Sequence, residues 1–173
     1  TGITNVRSLF TDSKGRLWIG TNDSGVFLMD KGQLRQWDTE DGFISPSIRA
    51  ITEDSDGIVY VSCIKGIAMF DEHLYLTEIS DHRISSLTIK ELRPGNDGLV
   101  YGVTSTGDLF SVKSGEVVSF IQHEDNSVVT YTSILPDPEQ PGYLYIGTDN
   151  ASIIYGKLDG QPDEKKEFDI STT

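Results

Sequence analysis

Short apolar runs separated by polar turns follow one another along the whole chain. The first four runs are "VRSLF", "RLWIGT", "GVFLM" and "QLRQW", and the turns between them are rich in Asp, Asn and Gly. Asp and Asn tolerate turn dihedrals, and Gly adopts positive φ without steric cost. No segment carries apolar residues at the i, i+3, i+4, i+7 spacing of a helix. The pattern therefore predicts antiparallel all-β structure.

The same group of four runs recurs through the sequence. Each copy contains Gly-x-x-aromatic at the start of its second run, with the aromatic positions at Trp18, Tyr60, Tyr101 and Tyr145. These aromatic residues follow one another at intervals of 42, 41 and 44 residues. Four strands in a repeat of this length are typical of a β-propeller blade. The sequence thus predicts β-propeller blades, four antiparallel four-stranded sheets in all.

We predict a single propeller segment over residues 1–173, with blades at 6–37, 48–79, 86–120 and 128–170. The sequence begins just before a first strand and ends just after a fourth, so no strand remains to close a ring by pairing. An arc of a larger propeller is the favoured interpretation, and its open blade edges would allow self-association. A closed four-blade ring is the alternative.

The repeated aromatic residues and the acidic turns have structural interpretations. An aromatic residue at one fixed place in every second strand predicts packing between neighbouring sheets, where each would bury about 150–250 Å². The turn "EDSDG" (53–57) matches part of a calcium-binding loop but lacks the remaining ligands. An Asp that accepts backbone N–H groups within its own turn explains the same residues. We therefore predict no metal site.

Charge and composition exclude several classes of function. The net charge of −13, with no basic run longer than Lys165-Lys166, argues against binding to nucleic acid. Cys63 is the only cysteine, which excludes an internal disulfide and a multi-cysteine zinc site. The three histidines are far apart in the sequence, and no nucleophile motif is present. We predict no catalytic residues and no cofactor.

The first copy, "FTDSKGRLWIGTNDSGVFLMD", resembles the two-component regulator propeller repeat, whose core is Asp-x-x-Gly-x-Leu-Trp-Ile-Gly-Thr. The second copy is similar, but Ser62 and Cys63 replace the Gly-Thr pair. The resemblance implies an extracytoplasmic sensor segment, periplasmic or at the cell surface, in a membrane-anchored bacterial parent. The output of such a parent is a histidine kinase, a hybrid regulator or a diguanylate cyclase. The resemblance also implies a small-molecule or carbohydrate ligand.

A ligand site is expected on loops that rigid blades hold in place. The loops between second and third strands share one face of a propeller with the segments that join consecutive blades. The expected ligand-binding residues on that face are Asn22, Asp23, Lys65, His82, Arg83, Thr106, His123, Asp149 and Asn150.

Three functions remain open at this point. The first is a non-enzymatic sensor segment that binds a small ligand. The second is a structural or protein-interaction propeller without a small ligand, and the third is a propeller enzyme acting on glycans. A ligand screen separates the first two, and turnover that depends on loop residues would identify the third.

Overall fold

The computed structural model describes residues 3–123, 129–158 and 166–169. These residues form four antiparallel sheets of four strands each, and every sheet has its strands in chain order. The first sheet contains β1 (Val6–Thr11), β2 (Leu17–Thr21), β3 (Val26–Asp30) and β4 (Gln33–Trp37). The second contains β5 (Ile48–Glu53), β6 (Val59–Cys63), β7 (Gly66–Phe70) and β8 (Leu76–Glu78). A short 3-10 turn at Thr39–Asp41 lies between these two sheets.

The third and fourth sheets repeat the arrangement. The third contains β9 (Ile89–Pro94), β10 (Val100–Thr104), β11 (Leu109–Lys113) and β12 (Glu116–Ile121). The fourth contains β13 (Tyr131–Pro136), β14 (Leu144–Thr148), β15 (Ser152–Gly156) and β16 (Lys166–Asp169). The predicted all-β class and the four four-stranded antiparallel sheets are confirmed.

The first strands of the third and fourth sheets start later than the sequence pattern indicates. The predicted blade of the third copy begins at Ser86, but β9 starts at Ile89. Ser86 has a φ of +76°, which is incompatible with an extended strand and belongs to the turn before it. In the fourth copy β13 starts at Tyr131, and the predicted blade limits at 128 and 170 lie outside the described residues.

The four repeated aromatic residues occupy equivalent places in the four sheets. Each is the second residue of the second strand of its sheet. It lies directly opposite a residue of the first strand, in the pairs Trp18–Phe10, Tyr60–Thr52, Tyr101–Arg93 and Tyr145–Leu135. Residues directly opposite in an antiparallel pair point to the same face of the sheet. The aromatic side chains therefore all project from the same face of their sheets.

Three apolar clusters join the sheets consecutively. Between the first and second sheets, Trp18 and Trp37 contact Phe70, with ring centroids 4.9 and 4.8 Å apart respectively. Tyr60 is buried against Phe110 and other residues of the third sheet. Tyr101 is buried in the cluster that includes Leu144 and Ile146 of the fourth sheet. Each of these three aromatic residues thus packs on the next sheet along the chain.

The fourth sheet departs from the predicted packing. Tyr145 is 39% exposed, because none of the sheets that the structure describes packs on its face. The prediction of inter-sheet burial is thus wrong for Tyr145 and confirmed for the other three positions. At the two ends of the arc, Leu9 and Leu135 are 64% and 57% exposed. The described sheets form part of a propeller with two open, partly apolar faces.

A carboxylate connects each turn to the aromatic residue of its sheet, and it is buried in every sheet except the third. In the first sheet, Asp12 Oδ1 accepts the backbone N–H groups of Lys14 (3.1 Å) and Arg16 (2.9 Å). Asp12 Oδ2 accepts a hydrogen bond from Trp18 Nε1 at 2.8 Å and pairs with Arg16 Nε at 2.7 Å. The predicted turn role is confirmed, and the second oxygen has an additional role that holds the Trp18 ring in place.

The same arrangement occupies the calcium-like turn of the second sheet. Asp54 Oδ1 accepts the backbone N–H groups of Asp56 (2.9 Å) and Ile58 (3.0 Å), and Oδ2 accepts the Tyr60 hydroxyl at 2.8 Å. Both oxygens of the carboxylate are therefore engaged within its own sheet. In the third and fourth sheets, Asp97 accepts the Tyr101 hydroxyl and Asp137 accepts the hydroxyls of Tyr145 and Tyr155.

Replacement of Asp12 by asparagine should destabilise the protein in a pH-dependent way. Burial would raise the pKa of Asp12, but the hydrogen bonds from Trp18 and Arg16 and the Arg16 charge outweigh it and hold the pKa below 3.8. A lowered pKa stabilises the folded state above the unfolded pKa, and this contribution is lost as the pH falls through the folded pKa. At about pH 7, Asp12→Asn should cost about 1–3 kcal/mol.

Urea unfolding at about pH 7 and about pH 3 measures this difference. The free energy of unfolding that Asp12→Asn loses, relative to the unsubstituted protein, should be smaller at the lower pH. Asp30→Asn, at the exposed end of β3, is the matched control and should change the free energy of unfolding little at either pH. An equal deficit for Asp12→Asn at both pH values would contradict the charge-based explanation.

Candidate functional site

One face of the arc brings together the loops that the sequence predicts to share it. The loop between β2 and β3 reaches the segment that enters β5, since Gly25 N donates to Pro46 O at 2.9 Å. In the next sheets Gly66 N donates to Leu87 O (2.8 Å), and Ser105 N donates to Thr88 O (2.8 Å). The loops between second and third strands therefore contact the segments that join consecutive sheets, as predicted.

A cleft of about 500 Å³ opens on this face, between the third sheet and the segment that joins it to the second sheet. We call it the loop-face cleft. It is lined by His82, Arg83, Leu87, Thr106, Asp108, Phe120, Gln122 and His123. Four of the expected ligand-binding residues line it, namely His82, Arg83, Thr106 and His123. The structure thus brings together residues that lie up to 41 positions apart in the sequence.

Arg83 is held in a fixed orientation at the loop-face cleft. Its Nε and Nη2 donate to the two carboxylate oxygens of Asp81, at 2.9 and 2.6 Å. Its guanidinium carbon lies 5.8 Å from the centre of the Phe120 ring. The hydrogen bonds from Arg83 lower the pKa of Asp81 to about 2, so Asp81 is ionised at neutral pH. A bidentate pair of this kind restricts the arginine side chain and orients it for binding.

Asp108 supports the opposite side of the loop-face cleft from a buried position. Its Oδ2 accepts hydrogen bonds from Thr104 Oγ1 (2.7 Å) and Thr106 Oγ1 (2.6 Å), and its Oδ1 accepts the backbone N–H of His123 (2.9 Å). Burial would raise the pKa of Asp108, but these hydrogen bonds outweigh it and lower the pKa below 3.8. The ionised carboxylate therefore fixes the positions of Thr106 and His123.

Four residues of the cleft were not among the expected ligand-binding residues: Leu87, Asp108, Phe120 and Gln122. A signal for one of them is present in the sequence. Asp108 stands directly after the glycine that enters the third strand, where the first two copies have the apolar residues Val26 and Ile67. A carboxylate at a position that is apolar and buried in those copies indicates a local hydrogen-bonding role. The other three residues carry no such signal.

The loop-face cleft combines an apolar surface with several hydrogen-bonding groups. Leu87 and Phe120 supply the apolar surface, while Arg83, Gln122 and His123 supply polar side chains. Its volume lies within the range of about 300–1,000 Å³ that is usual for small-molecule sites. Such a site fits a small polar ligand with one apolar face, because the ring face can pack on Phe120 while the edge makes hydrogen bonds.

Two of the remaining expected residues, Asn22 and Asp23, lie in the loop between β2 and β3. Asn22 Oδ1 accepts a hydrogen bond from Ser47 Oγ at 3.3 Å. Asp23 accepts hydrogen bonds from Asn5 Nδ2 and from Ser24 Oγ, and the bond from Asn5 lowers the pKa of Asp23. These contacts order the loop, and neither residue lines the loop-face cleft.

Lys65, Asp149 and Asn150 also lie apart from the loop-face cleft. Lys65 is exposed, and its backbone N–H donates to Cys63 Sγ at 3.4 Å. Asp149 Oδ1 accepts the backbone N–H of Thr130 at 2.8 Å, and Asn150 Oδ1 accepts Thr148 Oγ1 at 2.7 Å. A ligand role for these three residues stays a prediction.

Within the described part of the chain, no three His, Cys, Asp or Glu side chains are grouped so that they could hold a metal ion. Across the same residues, no helix has the length and apolar character needed to cross a membrane.

A sequence comparison decides the nature of the repeat. The family model described as "Two component regulator propeller" matches residues 2–23. This stretch carries one copy of the two-component regulator propeller repeat. The resemblance seen in the sequence is thereby confirmed, and the match falls on the copy that carries Asp12, Gly15 and Trp18. No curated protein matches the chain in sequence.

Solved structures share the arrangement of these sheets. One is the extracellular domain of a hybrid two-component system protein from B. thetaiotaomicron, with a TM-score of 0.77 and 18% identity; the match covers 97% of this chain and 24% of that one. A second protein of that description from the same organism has a TM-score of 0.71 and 22% identity, with 96% and 23% covered. Virginiamycin B lyase from Staphylococcus aureus has a TM-score of 0.75 and 15% identity, with 98% and 57% covered.

These similarities concern the fold. The chain spans between 23% and 57% of the length of these three structures. Two are extracellular domains of signalling proteins and one is an enzyme, so the shared propeller arrangement accommodates both kinds of function.

Proposed function

We propose that this chain is a non-enzymatic, extracytoplasmic, ligand-binding segment of a bacterial signal-transduction protein. The parent would be membrane-anchored, with a histidine kinase, hybrid regulator or diguanylate cyclase output. The two-component regulator propeller repeat and the extracellular domains among the similar structures support the sensor role. The loop-face cleft is the observation that carries the ligand-binding role.

The side chains of the cleft favour binding over catalysis. Arg83 is paired with Asp81, and Asp108 accepts three hydrogen bonds from its neighbours. A general acid or base needs a pKa near the working pH and access to the reacting proton. The lowered pKa and the engaged oxygens of Asp108 suit a positioning role instead. The enzyme among the similar structures keeps catalysis as a competing hypothesis, which turnover dependent on the cleft residues would support.

The ligand that fits best is a small polar molecule or a carbohydrate. Its apolar face would pack on Phe120 and Leu87, and its hydroxyl or carbonyl groups would bond to Gln122, Thr106 and His123. A sugar ring has this combination of an apolar face and a polar edge.

Assembly without a small ligand is the second candidate function. The exposed apolar residues at the ends of the arc, such as Leu9 and Leu135, favour it. Apolar side chains at such open ends would be buried if another sheet packed on them, as the described sheets pack on one another. Self-association through these ends would appear as a concentration-dependent change in mass by light scattering.

A thermal-shift screen of oligosaccharides and polar metabolites tests the ligand-binding proposal. A ligand at about 100 times its Kd stabilises the folded state by about 2.7 kcal/mol, which should raise Tm by about 5–10 °C in a protein of this size. The shift should shrink in His82→Ala and in Gln122→Ala, since both side chains line the loop-face cleft.

His73→Ala is the matched control for His82→Ala. The side chains of His73 and His82 are both largely exposed, but His73 lies in the turn between β7 and β8, away from the loop-face cleft. His73→Ala should therefore leave the ligand-induced rise in Tm unchanged. A screen without a stabilising compound, or a shift that survives both cleft substitutions, would count against the proposal.

A further inference from the structure

The first strand of every sheet contains a β-bulge at the same place. The register with the second strand shifts between Val6 and Ser8 in β1, and between Ile48 and Ala50 in β5. In β13 it shifts between Tyr131 and Ser133. In β9 the residues Ile89 and Glu91 pair with consecutive residues of β10. The extra residues at these bulges are Arg7, Arg49, Lys90 and Thr132.

Three of the four bulge residues are basic, in a chain that has 27 acidic and 14 basic residues. A bulge leaves its extra residue unpaired and turns the side chain out of the regular alternation of the strand. The repeat therefore places a cation at the same irregular position in three consecutive sheets. Alternation of apolar and polar residues does not require a basic residue there.

The bulges border a second cleft, of about 490 Å³, which we call the axial cleft. Its lining residues come from the first strands of all four sheets, which contact one another consecutively along the inner side of the arc. They include Arg49 and Lys90 from two bulges and Thr132 from a third. The axial cleft shares no lining residue with the loop-face cleft.

Two polar atoms at the axial cleft are buried without a hydrogen-bond partner. These atoms are Arg49 Nε and Thr52 Oγ1. Thr52 is 2% exposed, and both residues line the axial cleft. Buried polar groups in folded proteins are nearly always hydrogen-bonded, so an unsatisfied charged donor calls for a physical explanation. A ligand with an acceptor group in the cleft would supply it.

The charged side chains at the axial cleft indicate the charge that such a ligand would carry. Glu91 is the one carboxylate among the lining residues that the structure describes, and it pairs with Arg93. The second oxygen of Glu91 accepts the backbone N–H of Ile134 at 3.1 Å. The charge of Arg93 is thus balanced by Glu91, which leaves the charges of Arg49 and Lys90 as the excess at the cleft.

We propose that the axial cleft binds an oxyanion: the carboxylate, sulfate or phosphate group of a small molecule. Arg49 and Lys90 provide the charge, with Arg49 Nε as a buried donor, and the Thr52 hydroxyl provides a neutral donor. A guanidinium group matches the geometry of oxyanions, and charge-assisted hydrogen bonds are stronger than neutral ones. This site is separate from the loop-face cleft and does not depend on the function proposed for it.

Isothermal titration of the 173-residue protein with sodium glucuronate, sodium sulfate and sodium phosphate tests the proposal. Sodium chloride keeps the ionic strength constant, and neutral glucose serves as the uncharged control. At least one of the three anions should bind with one-to-one stoichiometry, whereas glucose should not bind at this site. The comparison among the anions distinguishes a sugar carboxylate from an inorganic oxyanion.

Substitutions connect the binding to the bulge residues. Arg49→Gln should weaken binding about tenfold or more, and Lys90→Gln should weaken it several-fold. Lys113→Gln removes the same charge from an exposed position outside the axial cleft and should leave the affinity unchanged. Circular dichroism confirms that each variant is folded, and if Arg49→Gln does not fold, Lys90→Gln decides the outcome.

Two results would overturn the proposal. One is the absence of binding for all three anions. The other is equal affinity of the Lys90→Gln and Lys113→Gln variants, because a site built on the bulge cations must distinguish these two lysines.

Discussion

Replacement of Tyr60 by alanine should destabilise the protein by about 3–5 kcal/mol. The Tyr60 side chain is fully buried between the second and third sheets. Its hydroxyl donates to Asp54 Oδ2 at 2.8 Å and accepts the backbone N–H of Gly115 at 3.2 Å. The substitution would therefore open a cavity at a sheet interface and remove a hydrogen bond from a buried carboxylate. Urea unfolding measures the loss of unfolding free energy.

Tyr145→Ala is the matched control for Tyr60→Ala. Tyr145 occupies the equivalent place in the fourth sheet and also donates its hydroxyl to the turn carboxylate, Asp137. Its side chain is partly exposed, and its ring contacts Tyr155 within the same sheet at 4.7 Å. We expect Tyr145→Ala to cost less than about 1.5 kcal/mol. Equal losses for the two variants would contradict the consecutive packing of the sheets.

Gly25→Ala should destabilise the protein by more than about 3 kcal/mol, through a combination of backbone strain and overlap. Gly25 has a φ of +73° in the loop that enters β3. A Cβ atom at this position would lie 2.2 Å from the backbone oxygen of Trp37 and 3.2 Å from the Cα of Asp38. The obstructing atoms belong to the backbone, so no side-chain movement relieves the contact.

Gly32→Ala separates the strain from the overlap. Gly32 has a φ of +80°, close to that of Gly25, but a Cβ atom there would meet nothing within 4 Å. The left-handed backbone alone costs about 1–2 kcal/mol for a residue with a side chain. Thermal and urea unfolding of both variants should therefore give a clearly larger loss for Gly25→Ala. Similar losses would show that the close approach between Gly25 and Trp37 does not constrain the fold.

The consecutive packing bears on how the segment could act as a sensor. The loop-face cleft lies between the third sheet and the segment that joins it to the second sheet. A ligand held there would contact both this joining segment and the third sheet, and would strengthen their association. The exposed ends of the arc belong to the first and fourth sheets, so the two surfaces are separate. Ligand binding and contacts at the ends can thus be tested independently.

The sequence alone determined the strands, their grouping into four sheets and the equivalence of the repeated aromatic residues. These features depend on contacts close in the chain: alternation sets which face a side chain takes, and Gly and Asp residues define the turns. The aromatic residue of each sheet is tied to a turn carboxylate only a few residues away, as with Asp12 and Trp18. Such short-range features are encoded in each copy and recur with it.

The tertiary structure alone decided which residues converge. His82 and His123 line the same cleft because the segment that joins the second and third sheets folds back against the third sheet, and no local pattern encodes that contact. The tertiary structure also decided which aromatic side chains are buried. Tyr60 is covered by the next sheet, whereas Tyr145, at the equivalent place in its own sheet, is partly exposed. Arg49 and Lys90 stand in bulges that the alternation does not reveal. Sequence patterns describe each sheet, but the sites lie between sheets, where the packing of one copy on the next sets the geometry.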